Sequence, residues 1–230
     1  MFSAVIFDFD GIIADTEPMH YQAFQEVLAP LGLGFPWQEY LDGYLGLDDR
    51  DAFRRRFGAA GRSLSDGELK ELMQHKGLAF LRTIAAGVTP YEGVVELIRS
   101  LSGSLPLALC SGARRSDIEP VLALLGLADS FDAMVTADEV AASKPDPESY
   151  RTALARLQEI FPEVDAAATL AIEDTPAGIA SATGAGLEVM AVTNSYPRER
   201  LEGATWVVAS LSGIELAAMP STSLRTPACA

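Results

Sequence analysis

The sequence predicts an α/β protein: a doubly wound parallel sheet with an all-helical domain inserted into it. Three observations lead to this fold class. Short apolar runs alternate with stretches of helical periodicity, one segment near the N-terminus has helical periodicity only, and 49% of the 230 residues are hydrophobic, which is enough for a large core. Strands that alternate with helices form right-handed βαβ units, which give a parallel sheet with helices on both faces.

Six short apolar runs are predicted as strands. The first comprises residues 4–7 and ends at Asp8, and such a run is typical of a strand that is buried on both faces. The other predicted strands are residues 105–110, 133–135, 169–172, 188–192 and 205–208. Stretches with helical spacing lie between them, at residues 94–101, 118–125, 150–157 and 179–183.

A helical segment interrupts this alternation after the first strand. Its predicted helices are residues 19–31, 37–44, 48–57 and 66–84. No convincing strand separates these helices, and prolines and glycines mark the turns between them. Ser65 is the expected N-cap of the last helix. The predicted domains are a core of residues 1–14 and 88–218, a helical insert of residues 15–87, and a loose C-terminal tail of residues 219–230.

The charge balance restricts the partners. Only 17 Lys and Arg stand against 32 Asp and Glu, a net charge of −15, and this argues against nucleic acid, whose binding relies on basic residues that neutralise phosphates. No stretch approaches the roughly 20 apolar residues of a membrane span. The N-terminus resembles no signal peptide, and Cys110 and Cys229 form no disulfide framework. We therefore expect a cytoplasmic protein with no membrane partner; a monomer is compatible with the sequence, which does not define the oligomeric state.

Polar residues that follow the predicted strands are the candidates for a functional site. In an open parallel sheet, ligands bind beyond the carboxyl ends of the strands. The segments in question are residues 8–11, 111–112, 143–145 and 173–174. Each one alone is also typical of an ordinary loop or cap, and only their joint occurrence predicts a site.

These segments suggest a metal and a phosphate. Asp8, Asp10, Glu173 and Asp174 would bring four carboxylates to one sheet edge, which is unfavourable unless a cation neutralises them. Oxygen ligands of this kind suit Mg²⁺, so we expect Mg²⁺ as the cofactor, with these four residues as its metal site.

A phosphate pocket is expected opposite that metal. Ser111 supplies a hydroxyl and Lys144 a positive charge, while Gly11 and Gly112 have no side chain to prevent backbone N–H groups from approaching phosphate oxygens. The partner predicted by this chemistry is a small phosphorylated molecule.

Four motifs, in this order, resemble those of the haloacid dehalogenase (HAD) superfamily. They are residues 8–17 (DFDGIIADTE), 111–112 (SG), 143–147 (SKPDP) and 172–179 (IEDTPAGI). The helical insert after the first motif resembles the cap of the phosphatase and β-phosphoglucomutase branch. The resemblance covers nearly the whole chain and implies a Rossmann-like HAD core.

The resemblance also implies catalytic roles. Asp8 would be the nucleophile that forms an aspartyl-phosphate, and Asp10 the general acid that later acts as a base. Ser111 and Lys144 would hold the transferring phosphoryl group. Phosphoryl transfer mostly requires positioning and charge neutralisation, which such a set of residues can provide.

The same resemblance implies a ligand set for Mg²⁺. The ion would lie between the Asp8 carboxylate, the backbone carbonyl of Asp10 and Asp174, with Glu173 as a further ligand or as a residue that orients the ligands. The implied activity is a Mg²⁺-dependent phosphohydrolase acting on a sugar phosphate or a similar monoester; the sequence does not identify the substrate.

A β-phosphoglucomutase-type mutase is the alternative within the superfamily. His20 and Lys76 stand where such enzymes carry a cap histidine and lysine, and with Arg50 they are candidate substrate contacts, although a helical lysine is more often a solvated surface charge. Asp49 occupies the place of the mutase arginine, and Arg50 is displaced by one residue, which turns a helical side chain by about 100°. The mutase hypothesis is weakened and stays open.

Other classes fit less well. Asp10 disfavours a dehalogenase, and the absence of lysine from residues 18–29 disfavours a phosphonate hydrolase. The alternative from a different class is a non-enzymatic phosphoacceptor or binding protein. A signalling receiver domain has no place for an insert of roughly 70 residues, and a binding protein on the HAD scaffold would be expected to lack Asp8 or Lys144, which are both present.

Overall fold

A six-stranded parallel sheet lies at the centre of the computed structural model, which describes residues 1–216 and Met219. The strands are β1 (Ala4–Phe7), β2 (Leu107–Cys110), β3 (Ala133–Val135), β4 (Thr169–Glu173), β5 (Glu188–Val192) and β6 (Trp206–Val208). Their order is β3-β2-β1-β4-β5-β6, with every pair parallel. The predicted fold class is confirmed. Except for Met219, the tail predicted for residues 219–230 lies outside the described residues.

Side chains of β1 alternate between two hydrophobic cores. Val5 and Phe7 pack in the core on one face, and Ala4 and Ile6 in the core on the other; all four are fully buried. Helices α5 (Val94–Leu101) and α6 (Arg115–Leu125) cover the first face, and α7 (Glu148–Ile160) and α8 (Pro176–Gly184) cover the second. Burial on both faces explains why β1 reads as an uninterrupted apolar run.

Four α-helices stand between β1 and α5. They are α1 (Glu17–Leu28), α2 (Trp37–Gly43), α3 (Asp49–Ala59) and α4 (Asp66–Ile84). Residues 15–87 are called the cap below. Phe24 and Phe53 pack edge to face, with ring centroids 5.1 Å apart, in a hydrophobic core whose members all come from these helices and the segments that connect them. None of the described helices is long and apolar enough to cross a membrane.

Helix α1 ends three residues earlier than its apolar spacing predicts. Residues 29–31 form a separate 3₁₀ turn around Pro30. Proline lacks the amide hydrogen that an α-helix needs and its ring obstructs the preceding turn, so the helix ends at Leu28.

The cap enters and leaves the core at one place. The amide of Asp15 donates to the carbonyl of Thr89 over 3.2 Å, and the amide of Tyr91 donates to the carbonyl of Ile13 over 3.1 Å. The two connections therefore run side by side, directly after β1. The first residues of the cap lie next to the edge of the sheet where β1 ends.

Helix α4 begins with a reciprocal capping box. The hydroxyl oxygen of Ser65 accepts from the amide of Glu68 at 3.3 Å, and the Glu68 carboxylate accepts from the amide of Ser65 at 2.9 Å. These two bonds satisfy amides that the start of a helix leaves without a partner.

We predict that Ser65→Ala lowers the free energy of unfolding by about 1 kcal/mol, because the N-cap acceptor of α4 is lost. Urea denaturation followed by circular dichroism measures this change. Ser63→Ala is the matched control, since Ser63 is exposed and precedes the helix. Equal stabilities of the two variants would contradict the role of Ser65.

Candidate active site

Three neighbouring strands bring the motif residues together. β1 lies between β2 and β4, and because the strands are parallel, their carboxyl ends meet at the same edge, about 4.8 Å from one another. Asp8 follows β1, Ser111 follows β2, and Asp174 follows β4. This is also the point where the strand order reverses, the usual place of a site in such sheets.

Lys144 connects the ends of β1 and β4. Its Nζ atom donates to Asp8 Oδ1 at 2.8 Å, to Glu173 Oε1 at 2.6 Å and to the carbonyl of Cys110 at 3.1 Å. Burial alone would lower the pKa of Lys144, but the charges of Asp8 and Glu173 outweigh it and hold that pKa well above its usual value. Lys144 is therefore a cation next to the predicted nucleophile.

The side chain of Glu173 is fully committed to protein donors. Oε1 also accepts from the hydroxyl of Tyr150 at 2.9 Å, and Oε2 accepts from the amides of Asp174 and Thr175 at 3.1 and 3.4 Å. There is no spare space around it, because a Cβ on Gly178 would lie 1.9 Å from Oε1. Of the two roles expected for Glu173, this arrangement favours orientation of Lys144 and of the loop after β4.

Asp174 is the unsatisfied carboxylate of the site. Both of its oxygens are buried, and within residues 1–216 and Met219 neither has a partner in good hydrogen-bond geometry, although the Ser195 hydroxyl lies close enough to act against the rise in pKa. Burial and the charges of Glu173 and Asp8 raise its pKa well above the usual value. Gly11 makes room for this carboxylate, since a Cβ there would lie 1.9 Å from Oδ2.

The residues present fit a divalent cation. Asp8, Glu173 and Asp174 each offer an oxygen, and these oxygens lie within 4.8 Å of one another. Burial and the charge of Glu173 raise the pKa of Asp8 to about 8. A buried carboxylate without a partner next to a second acid is the environment that a hard cation with oxygen ligands neutralises. The predicted Mg²⁺ site therefore fits Asp8 and Asp174 best, while the ligand role of Asp10 stays a prediction.

Asp10 is held by the first turns of the cap. The hydroxyl of Thr16 donates to Asp10 Oδ1, and Nε2 of His20 lies 3.2 Å from the same oxygen. Burial acts to raise the pKa of Asp10, but its interactions with His20 and Thr16 outweigh burial and leave that pKa below its ordinary value. In this geometry Asp10 is a carboxylate, the form in which it can accept a proton.

Lys76 lies behind His20 and is not a solvated helix residue. It is completely buried, with its Nζ atom 2.6 Å from Nδ1 of His20 and 5.0 Å from the ring centre of Phe24. Because an ammonium group only donates, Nδ1 of His20 accepts, and Nε2 carries the hydrogen that points to Asp10. His20 lines the pocket and Lys76 does not, so contact of Lys76 with a substrate stays a prediction.

Ser111 and Gly112 line the pocket opposite the cap. The Ser111 oxygen accepts from the amide of Ala113 at 2.9 Å, which leaves its hydroxyl hydrogen free to donate to an anion. A Cβ on Gly112 would lie 4.0 Å from Asp48 in the cap, so the pocket is narrow here.

The structure does not bring Arg50 into the pocket. Its guanidinium group donates to the carbonyls of Ala137 and Ala141 at 3.3 and 3.2 Å, in the loop after β3, and lies 3.4 Å from Asp48. It therefore connects the cap to the core, and its predicted contact with a substrate has no support in this geometry.

Several cap residues in the pocket are missing from the sequence prediction. Glu17, Tyr40, Asp48 and Asp49 line it. The Tyr40 hydroxyl donates to Glu17, and burial together with the charge of Asp10 raises the pKa of Glu17 to about 7. Glu17 lies inside the first motif and could have been noticed there, whereas the others carry only helix and cap signals.

The doubly wound sheet and the carboxylate centre at its switch point define an α/β enzyme. Residues 5–192 match the family described as haloacid dehalogenase-like hydrolase. The chain belongs to this family, which confirms the prediction from the four motifs, and it is a phosphoric monoester hydrolase of this superfamily, as predicted.

Relatives of known name include phosphatases and a mutase. The chain is 33% identical to the protein CbbY of Rhodobacter capsulatus, covering 94% of this chain and 97% of that one. It is 30% identical to the fructose-1-phosphate phosphatase YqaB of Escherichia coli, covering 83% of this chain and 96% of that one. It is 31% identical to the β-phosphoglucomutase of Bacillus subtilis, covering 93% of this chain and 92% of that one. These relatives place the activity among HAD-like phosphatases and phosphomutases.

Among solved structures, the chain is similar to CbbY from Rhodobacter sphaeroides in complex with xylulose-(1,5)-bisphosphate. The TM-score is 0.82 at 25% identity, and the similarity covers 93% of this chain and 96% of that one. The core and the cap are thus both included in the similarity.

We predict that Mg²⁺ stabilises the protein more at about pH 8 than at about pH 6. In the folded protein, the pKa of Asp8 is raised to about 8 and the pKa of Asp174 is raised as well. The contribution of these two groups to the free energy of unfolding is therefore fully present below the pKa values that they have in the unfolded chain, and it is lost as pH rises through about 8. Mg²⁺ binds the ionised carboxylates and restores that loss.

Thermal melting with Mg²⁺ or with EDTA, at both pH values, measures the difference. Asp174→Asn should show a much smaller shift with Mg²⁺, and Asp129→Asn, at an exposed surface acid, should match the wild type. A shift with Mg²⁺ that is equal at the two pH values would contradict the prediction.

Proposed function

We propose that this protein is a Mg²⁺-dependent phosphohydrolase that cleaves a small phosphorylated metabolite through an aspartyl-phosphate on Asp8. One observation carries this proposal. The Asp8 carboxylate, 2.8 Å from the Lys144 ammonium group, stands beside the unpartnered Asp174 carboxylate and in the same pocket as Asp10. These are the parts that phosphoryl transfer requires: a nucleophile, positive charge and a group that moves a proton.

In the first half of the reaction, an oxygen of Asp8 attacks phosphorus. The bond between phosphorus and the leaving oxygen breaks, and that oxygen takes a proton from Asp10. Asp10 must be protonated at this moment, although Thr16 and His20 favour its carboxylate form. A substrate phosphate brings negative charge next to Asp10, and such a charge favours its protonated form.

In the second half, a water molecule attacks the phosphorus of the aspartyl-phosphate. Asp10 takes the proton of the water, the bond between phosphorus and Asp8 breaks, and inorganic phosphate leaves. Thr16 and His20 stabilise the carboxylate form of Asp10 that this step begins from. The starting states of Asp8 and Asp10 are both restored.

Positive charge is supplied from two sides. Lys144 and the hydroxyl of Ser111 bind the phosphoryl oxygens on one side of Asp8. Mg²⁺, held by Asp8 and Asp174, would neutralise negative charge that develops in the transition state. Burial of the site strengthens these interactions because the effective dielectric constant is lower than in water.

Hydrolysis is favoured over a mutase reaction by the cap. A mutase must retain a sugar by a second phosphate while the first is exchanged. Arg50, the nearest candidate in sequence, is directed to the carbonyls of Ala137 and Ala141, and Asp49 lines the pocket in its place. The complete set of motif residues supports an enzyme and not a phosphate-binding protein.

The same proposal includes a cellular setting. An acidic protein that acts on a small phosphorylated metabolite is compatible with the cytoplasm. YqaB and β-phosphoglucomutase are named for sugar phosphates, which supports this substrate class here.

We predict that Asp8→Asn abolishes phosphatase activity, because the amide has the same shape but is neither a nucleophile nor an anion for the metal. Release of inorganic phosphate from a panel of sugar phosphates and from acetyl phosphate, with Mg²⁺, measures this. Asp129→Asn removes one surface charge and should retain full activity. Undiminished turnover by Asp8→Asn would contradict the mechanism.

We predict that Asp10→Asn slows hydrolysis of sugar phosphates much more than that of p-nitrophenyl phosphate, by about 10²-fold or more in the ratio of rates. A basic leaving oxygen needs the proton of Asp10, whereas p-nitrophenolate leaves without it. Single-turnover rates on both substrates test this. Equal losses on the two would show that Asp10 does not act as the acid.

A further inference from the structure

The charged side chains in the wall of the pocket are mostly acids. Six of the lining side chains are carboxylates: Asp8, Asp10, Glu17, Asp48, Asp49 and Asp174. Lys144 is the only lysine or arginine among the described residues that line it, and its ammonium group already contacts Asp8 and Glu173. The half of the pocket that faces the cap thus presents acids and no uncommitted cation.

Two further cations lie close by, and Asp49 compensates them. The Nζ atom of Lys76 is 2.6 Å from Asp49 Oδ1, and Nε of Arg114 is 3.8 Å from Asp49 Oδ2. On the core side, Asp117 lies 3.1 Å from Arg114 and 3.8 Å from Lys76. Two cations therefore face two carboxylates. Neither Lys76 nor Arg114 reaches the pocket as an uncompensated charge.

Asp49 keeps some capacity to accept hydrogen bonds. Its Oδ2 atom is buried and has no hydrogen-bond partner within the described part of the chain, although the residue lines the pocket. A buried acceptor without a hydrogen-bond partner is unfavourable, and Nε of Arg114, at 3.8 Å, is too distant to satisfy it. Asp48, by contrast, accepts from the hydroxyl of Ser143 at 2.7 Å and from the amide of Asp51 at 2.8 Å.

We propose that Asp49 is a specificity-determining residue, which restricts this enzyme to monophosphates whose leaving group is uncharged and carries hydroxyls. The proposal rests on the phosphohydrolase function proposed above and specifies its substrate class. A second phosphate at the cap end would meet Glu17, Asp48 and Asp49, and contacts between like charges oppose binding. Hydroxyl groups can donate to the same carboxylates.

This substrate class differs from the ligand of a similar structure. CbbY from Rhodobacter sphaeroides was crystallised with a bisphosphate. In the present chain, the positive charges of Lys76 and Arg114 are balanced by Asp49 and Asp117, so a second phosphate has no cation to bind at the cap end.

The test compares two substrates that differ by one phosphate, fructose 1-phosphate and fructose 1,6-bisphosphate. The kcat/KM of the wild type should be at least about tenfold higher for the monophosphate than for the bisphosphate, mainly because KM is lower. Asp49→Asn should reduce this preference by about tenfold, because it leaves the charge of Lys76 uncompensated. Asp49→Asn with Lys76→Met restores the charge balance and should restore the preference. Asp51→Asn, on the same turn of α3 but outside the pocket lining, should match the wild type.

The outcomes separate this proposal from the proposed function. A wild type that prefers the bisphosphate overturns the role of Asp49 without any variant, so the proposal stays testable even where Asp49→Asn fails to fold. An unchanged preference in folded Asp49→Asn overturns it as well. Acetyl phosphate turnover by the wild type reports on the function itself: its absence, or its persistence in Asp8→Asn, overturns the phosphohydrolase proposal.

Discussion

The concentration of negative charge at one edge of the sheet is the constraint on which the rest of the site depends. Oxygens of Asp8, Glu173 and Asp174 lie within 4.8 Å of one another, and Lys144 compensates only the first two. Two glycines leave room for these carboxylates, because a Cβ at Gly11 or at Gly178 would lie 1.9 Å from a carboxylate oxygen. The two glycines are therefore required by packing around the acids, in addition to the positive φ of 77° at Gly11. No cation within the described residues compensates Asp174, and this is the observation that favours a divalent-cation site here.

The fold could be predicted because strand composition and strand burial are directly related in this architecture. A strand with helices on both faces is apolar at each position, so β1, β3 and β5 were located to the residue. The deviations have local causes. β2 begins two residues later than the apolar run suggests, after Pro106, which lacks an amide for the ladder. Helix α1 ends before Pro30 for the related reason that proline cannot continue an α-helix. Such effects move boundaries and leave the topology unchanged.

The site was predictable only on its core side. Asp8, Ser111 and Asp174 directly follow strands, and the topology of a parallel sheet is sufficient to bring such residues together. The cap offers no equivalent rule. Whether Lys76 faces solvent or interior depends on which helices pack around it, and the rings of Phe24 and Phe80, at 5.0 and 5.5 Å, come from positions 52 residues before it and four after it. Helical periodicity describes one helix at a time, so it does not reveal an ion cluster formed by residues of α3, α4 and α6.

The core holds the carboxylate of Asp8, and the cap holds the carboxylate of Asp10. The carboxylate of Asp8, the proposed nucleophile, is held by Lys144 of the core, and no residue of the cap, all of which the structure describes, donates to it. The carboxylate of Asp10 is positioned by Thr16 and His20, which belong to the cap. Movement of the cap away from the core would therefore remove the partners of Asp10 and leave those of Asp8 in place. Under the proposed mechanism, proton transfer would therefore require the cap in the position that it has in this structure. His20, one of the two cap residues that hold Asp10, lines the same pocket as Asp48 and Asp49, so the proposed proton transfer and the proposed substrate selection would depend on one arrangement of the cap.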